Sequence, residues 1–109
     1  MGQAKAETSC EQLYVELWVS LASLLRSYTA AHGLNGDRQA TVELGEDHIT
    51  VRYGNTWLDL KRNGAQVAWS RHDGQNGMLE LTEAGRLRNT AGEEEMDMVA
   101  EAWAREMMR

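Results

Sequence analysis

The stretch that decides the fold runs from Ala40 to Ser70 and reads ATVELGEDHITVRYGNTWLDLKRNGAQVAWS. Apolar and polar residues alternate along it in successive runs. Ala40, Val42 and Leu44 alternate with Thr41 and Glu43, and Ile49, Val51 and Tyr53 with His48, Thr50 and Arg52. Thr56, Leu58 and Leu60 alternate with Trp57, Asp59 and Lys61, and Ala65, Val67 and Trp69 with Gln66, Ala68 and Ser70. A period of two marks a strand with one buried face. Between the runs stand Glu46-Asp47, Gly54-Asn55 and Asn63-Gly64, each suited to a two-residue hairpin turn. Read as such turns, they set Leu44 against Ile49, Val51 against Leu58, Leu60 against Val67 and Leu58 against Trp69. Every join then meets apolar to apolar, which a slip of one residue would destroy. Leu79 and Leu81 supply one more short strand, so a five-stranded antiparallel meander is predicted between Gln39 and Thr82.

Working outward, the spacing predicts a helix on either side. From about Ser9 to Ala31, Leu13, Leu17, Leu21, Leu24 and Tyr28 recur at intervals of three and four and make an apolar stripe. Thr8 with Glu11, or Ser9 with Gln12, can form a capping box at its start, and Gly33 with Asn35-Gly36 ends it. After a looser stretch from Glu83 to Asn89, a second helix is predicted from about Ala91 to Met108. There Thr90 and Glu93 can form a capping box, and Glu93 to Glu95 suit the positive end of the dipole. Two amphipathic helices and one apolar sheet face give an α+β two-layer sandwich, α-β-β-β-β-β-α, with both helices on the same side.

Composition narrows the function. The 109 residues fit a single domain, residues 1–109, and 42% hydrophobic content with 26% charge is ordinary for a globular chain. A net charge of −6 disfavours binding to a phosphate backbone, so nucleic acid is not an expected partner. No apolar run approaches the roughly 20 residues of a membrane helix, and Met1 to Thr8 lacks the apolar stretch of a signal peptide. Gly2 is not followed by Ser or Thr where myristoylation wants one, since that position is Ala6. A cytoplasmic location is expected.

Chemistry is sparse. The single Cys10 excludes an internal disulfide. Its place in the first turn of a helix can lower a thiol pKa, yet no histidine has a reason to sit beside it. Ser70, His72 and Asp73 stand too close in sequence to converge as a triad. His32, His48 and His72 have no ligand at metal-binding spacing, and the glycines fall singly at turns, so no phosphate loop is present. No catalytic residue, cofactor or metal site is therefore expected. What remains is the polar face of the sheet, with Glu43, His48, Thr50, Arg52, Trp57, Asp59, Lys61, Gln66, Ala68 and Ser70. The predicted register puts Trp57 between Arg52 and Ser70, and a Trp beside an Arg suits both a cation–π pair and a binding hot spot. Trp57, Arg52, His48, Asp59 and Gln66 are the candidate partner-binding residues, for a protein partner or for self-association.

The order helix, meander, helix resembles the frataxin family from about Ser9 to Trp103. Local matches are Leu17-Trp18-Val19-Ser20-Leu21, Val42-Glu43-Leu44 before Ile49-Thr50-Val51, Gln66-Val67 before Trp69, and Gly92-Glu93. The resemblance implies a frataxin-like fold and a link to iron or iron–sulfur handling, with iron held on an acidic ridge. Here the ridge positions read Ala22, Ser23, Arg26, Ser27, Thr29 and Thr41, with no carboxylate. What the resemblance then implies is a non-enzymatic accessory protein and not an iron donor. The alternative is a dimeric, client-binding protein similar to type III secretion chaperones, although those carry a further helix where this chain has only Arg62-Asn63-Gly64. A small-molecule enzyme is the remaining alternative, with no convergent set of residues to support it.

Overall fold

A computed structural model describes residues 2–33 and 39–108, with side chains described for residues 11–33 and 39–108. The alternating stretch forms strands β1 (Thr41–Leu44), β2 (His48–Tyr53), β3 (Thr56–Asn63) and β4 (Gln66–Arg71). They continue into β5 (Asn76–Leu81), β6 (Arg86–Asn89) and β7 (Gly92–Glu95), between helices α1 (Gly2–His32) and α2 (Met96–Met107). All seven strands make one antiparallel sheet in sequential order, β1 to β7. The class is α+β as expected, but the meander has seven strands and not five. Among the described residues no helix is long and apolar enough to cross a membrane.

The two added strands replace the looser stretch and the expected first turn of the second helix. Asn89 turns the chain there: its side-chain oxygen accepts the backbone N–H groups of Ala91 and Gly92, at 2.8 and 3.0 Å. Arg88 then pairs with Glu93 and Arg86 with Glu95 across the ladder. Opposite charges facing each other stabilise a strand pair that has almost no apolar content. Glu93 is thus in a strand, the Thr90–Glu93 capping box does not form, and α2 starts at Met96, capped by Glu95 without a side-chain hydrogen bond.

The first helix starts earlier than expected because Ala4, Lys5, Ala6 and Glu7 are strong helix formers that continue it backwards. The capping pairs proposed at Thr8 and Ser9 therefore fall inside the helix, and those two side chains lie outside the described set. Gly33 closes the helix by donating to the carbonyls of Thr29 and Ala30. Asn35-Gly36 lies outside the described residues.

Register follows the expectation at the first two hairpins, with Leu44 facing Ile49 and Val51 facing Leu58. At the third it differs by two residues: Leu60 faces Trp69, Leu58 faces Arg71, and Arg62 faces Val67. The cause is the turn. Gly54 and Gly64 have φ of 61° and 62°, while no described non-glycine residue has positive φ. A positive φ confined to the first central residue is the type II′ pattern. Asn63 pairs with Gln66, so the loop is Gly64-Ala65 and not Asn63-Gly64, and Gly64 holds that first central position. A slip of two preserves the faces, so Val67 and Trp69 still point inward.

The core lies between this inner face and the helices. Ile49, Val51, Leu58, Leu60 and Val67 from the sheet meet Trp18, Leu21 and Leu25 of α1 and Ala100, Trp103 and Met107 of α2. Each fully buried aliphatic side chain contributes about 1.5–3 kcal/mol. Trp69 packs at this layer with its ring centroid 6.4 Å from that of Trp103. The strand alternation also carries Arg62 inward. Its guanidinium is buried and donates to Glu11 on α1 at 3.1 and 3.3 Å, to Asp47 at 3.3 Å and to the Gly64 carbonyl at 2.9 Å. That hydrogen-bonded pair holds the Glu11 carboxyl below its ordinary pKa and raises that of Arg62.

Candidate functional site

Both helices cover one side of the sheet, and the other side stays open. Its residues lie in cross-strand rows. Thr41, Arg52 and Trp57 form one; Glu43, Thr50, Asp59, Ser70 and Asn76 form the next. His48, Lys61, Ala68 and Met78 form the third, and Asn63, Gln66, Glu80, Arg88 and Glu93 the fourth. Strand alternation alone places them here, since their neighbours fill the core.

Within this face His48, Thr50, Arg52, Trp57 and Asp59 line a depression of about 320 Å³. Asp59 organises it. Its Oδ1 accepts the Thr50 hydroxyl at 2.8 Å and also contacts His48 Nε2, while Thr50 Oγ1 lies 3.1 Å from the same ring nitrogen. These contacts order three side chains from two strands before any partner arrives. Trp57 stands at the rim with 40% of its surface exposed. Arg52 is its register partner as expected, but the guanidinium contact it makes is with Glu43, at 3.9 Å.

A second depression of about 320 Å³ shares Asp59 and adds Lys61, Ala68, Ser70, Asn76 and Met78. Met78 is 55% exposed, so the two hollows are flanked by a large apolar side chain on each side. Further along, Arg88 is bound by Glu80 and lies 3.6 Å from Glu93, and Arg86 lies 3.8 Å from Glu93. The hydrogen bond from Arg88 to Glu80 pushes the guanidinium pKa up. Those charges are already matched within the chain, which leaves the Trp57 region as the part of the face with unmatched apolar surface.

The structure therefore brings Trp57, Arg52, His48 and Asp59 around one hollow. Gln66 is exposed but sits in the fourth row, outside the hollow, against Asn63 and Glu80. The residue across from Trp57 is not Ser70, whose partner is Asp59. It is His72, whose backbone N–H donates to the Trp57 carbonyl at 3.2 Å. Met78 and Asn76 escaped the sequence reading because Gly77 interrupts the apolar alternation before Leu79. The signal that could have found them is the resumed period through Met78 and Glu80.

The other candidates are dispersed. Asp73 caps its own turn, accepting from the Gln75 amide at 3.0 Å and from Arg71 at 3.2 Å, while Ser70 lies on the open face. His32 pairs with Glu101 of α2 at 3.0 Å. The Cys10 side chain lies outside the described residues. Among the described residues no group of three or more His, Cys, Asp and Glu could hold a metal ion. Of the ridge positions, Ala22 and Thr29 are in the core, and the Thr29 hydroxyl donates to the Leu25 carbonyl at 2.6 Å. Comparison with known protein families, with curated proteins and with solved structures finds no match.

Proposed function

We propose that this is a non-enzymatic binding or accessory protein that holds a protein partner on the open face of its sheet. The observation that carries the reading is the convergence of exposed Trp57 with Arg52, His48 and Asp59 on one hollow whose polar groups are already ordered. Preordered side chains lose little freedom on binding, so more of the contact energy appears as affinity. Trp and Arg flanked by ordered polar groups are the residue types that dominate interface energetics.

The frataxin resemblance extends the proposal to a place beside iron or iron–sulfur handling. That role would run through protein contact, since ridge positions Ala22 and Thr29 are committed to the core. An anaerobic Fe(II) titration followed by amide NMR separates the two. Saturable shifts along α1 and β1 would support direct metal handling, and their absence leaves the protein-contact reading.

The direct test is capture of the tagged protein from its own cells, beside a Trp57→Ala variant. The variant is expected to keep its circular dichroism and lose the specific companion. Equal recovery of that companion with both proteins would remove Trp57 from the interface and refute the assignment.

A further inference from the structure

The sheet ends in two edges of opposite character. The β7 edge, Gly92–Glu95, is fully exposed and carries three successive glutamates, which repel another strand. The β1 edge, Thr41–Leu44, carries one carboxylate and two apolar side chains.

The phase of β1 is set by Gly45, whose N–H donates to the His48 carbonyl at 2.6 Å. Antiparallel pairs alternate between hydrogen-bonded and non-hydrogen-bonded. Gly45, Glu43 and Thr41 therefore direct their backbone groups toward β2. Val42 and Leu44 direct theirs away from the sheet, and among the described residues nothing pairs with them. Leu44 is 36% exposed although its side chain is on the helix-bearing face.

The neighbouring flank of α1 is apolar too. Leu17 and Leu24 line a cleft with Met96 and Asp97 of α2, and Tyr28 donates to Asp97, so that side of α1 faces α2. At 3.6 residues per turn Val15 and Val19 lie roughly opposite Leu17 and Leu24. With Trp18, Leu21 and Leu25 on the sheet, this flank projects past β1. Val15 is 40% exposed and Val19 45%.

We infer that this edge is occupied by a second copy of the same chain, β1 pairing antiparallel with β1 across a two-fold axis at Val42. That register places Leu44 opposite Ala40 on the helix side and Thr41 opposite Glu43 on the open side. It also lets the two Val42 residues exchange N–H and carbonyl bonds. A shift of two residues in one direction would set Glu43 against Glu43, which like charges disfavour, and in the other it would set Thr41 against Thr41 and shorten the ladder. A shift of one would set the apolar face of one chain beside the polar face of the other. The helices agree with the same axis. Exposed Glu16 lies beside Val15 and exposed Arg26 lies two turns beyond Val19, so an antiparallel copy can set the Glu16 of one helix against the Arg26 of the other. The joined sheet leaves both Trp57 hollows open on one side, and two linked sites raise avidity for a partner that reaches both. This surface is distinct from the one assigned above, and either can fail without the other.

The test is sedimentation of the intact protein over a concentration series, with Val42→Pro and Val19→Lys. The N–H of Val42 points away from the sheet, so proline there removes no internal bond. Losing the two symmetric donors should weaken the dimer by about 10- to 100-fold, with the circular dichroism unchanged. Val19→Lys should weaken it through the helix flank. A wild-type protein still monomeric near ~1 mM overturns the inference. So does a dimer that survives both substitutions but dissolves in Trp57→Ala. Should Val42→Pro fail to fold, a natively folded Val19→Lys with undiminished dimerisation overturns it equally.

Discussion

Replacing Gly77 by alanine sets two opposing effects against each other at a single position. Alanine restricts the unfolded chain more than glycine does, and by that measure the change should stabilise a strand by roughly 0.5–1 kcal/mol. Gly77, however, faces Trp69 across the β4–β5 ladder. A methyl group there would come within 2.7 Å of the indole nitrogen and 2.9 Å of two ring carbons. A rigid bicyclic ring, its centroid 6.4 Å from that of Trp103, cannot bend away as the tip of a lysine would. Forcing a methyl into such a contact costs about 1–3 kcal/mol. The net loss is then centred near ~1 kcal/mol and at most about 2.5 kcal/mol, which for a chain of this size is a fall of up to roughly 10 °C in Tm. Thermal unfolding followed by near-ultraviolet circular dichroism reads both quantities, because displacing Trp69 alters the asymmetric environment of two indoles. A variant as stable as the parent, with unchanged near-ultraviolet bands, would refute the placement of Trp69 over Gly77.

Two more expectations follow from the same contacts. The fold lowers the Glu11 pKa from an ordinary value of 4.5, chiefly through its hydrogen bond to Arg62, so the ionised form is the one stabilised. Its contribution is present above pH 4.5 and fades as pH falls through the folded-state value. Glu11→Gln should therefore melt earlier at neutral pH and lose less stability on acidification, and parallel pH profiles would contradict the link. Leu60 is fully buried while Met78 is 55% exposed. Chemical denaturation should accordingly show a loss of about 2–5 kcal/mol for Leu60→Ala and a change within about 0.5 kcal/mol for Met78→Ala.

The first four strands were legible because each alternates strictly and each is bounded by a turn signal. What the alternation could not settle was the third turn. Asn63-Gly64 and Gly64-Ala65 both offer a glycine at a position that takes positive φ, and only the pairing of Asn63 with Gln66 distinguishes them. The last two strands were missed for a different reason. Arg86-Leu87-Arg88-Asn89 and Gly92-Glu93-Glu94-Glu95 hold together through facing charges, with Leu87 alone buried between them. Out of register, a run of glutamates looks like the start of a helix. Arg62 was hidden by the same logic, since a cation beside a turn reads as solvent-facing until Glu11, 51 positions away, is seen to meet it.

The candidate site was legible in part. Parity puts Trp57, Arg52, His48 and Asp59 on the open face without any coordinates, and the second hairpin puts Trp57 beside Arg52. The bond that ties Asp59 to His48 runs diagonally between rows and depends on side-chain reach that no periodicity reveals. Gln66 shares the face but not the hollow, a distinction that needs the turn at Gly64 to be placed correctly.

The central claim is that the open face carries the partner, and the chain contains its own control. Met78 on that face and Met98 on α2 are equally exposed, at 55% and 56%. Oxidative footprinting of the isolated protein and of its complex compares them directly. Protection of Trp57 and Met78 in the complex, with Met98 reacting as before, is the predicted result. Protection of Met98 while Trp57 and Met78 stay reactive would place the partner on the helices and contradict the account.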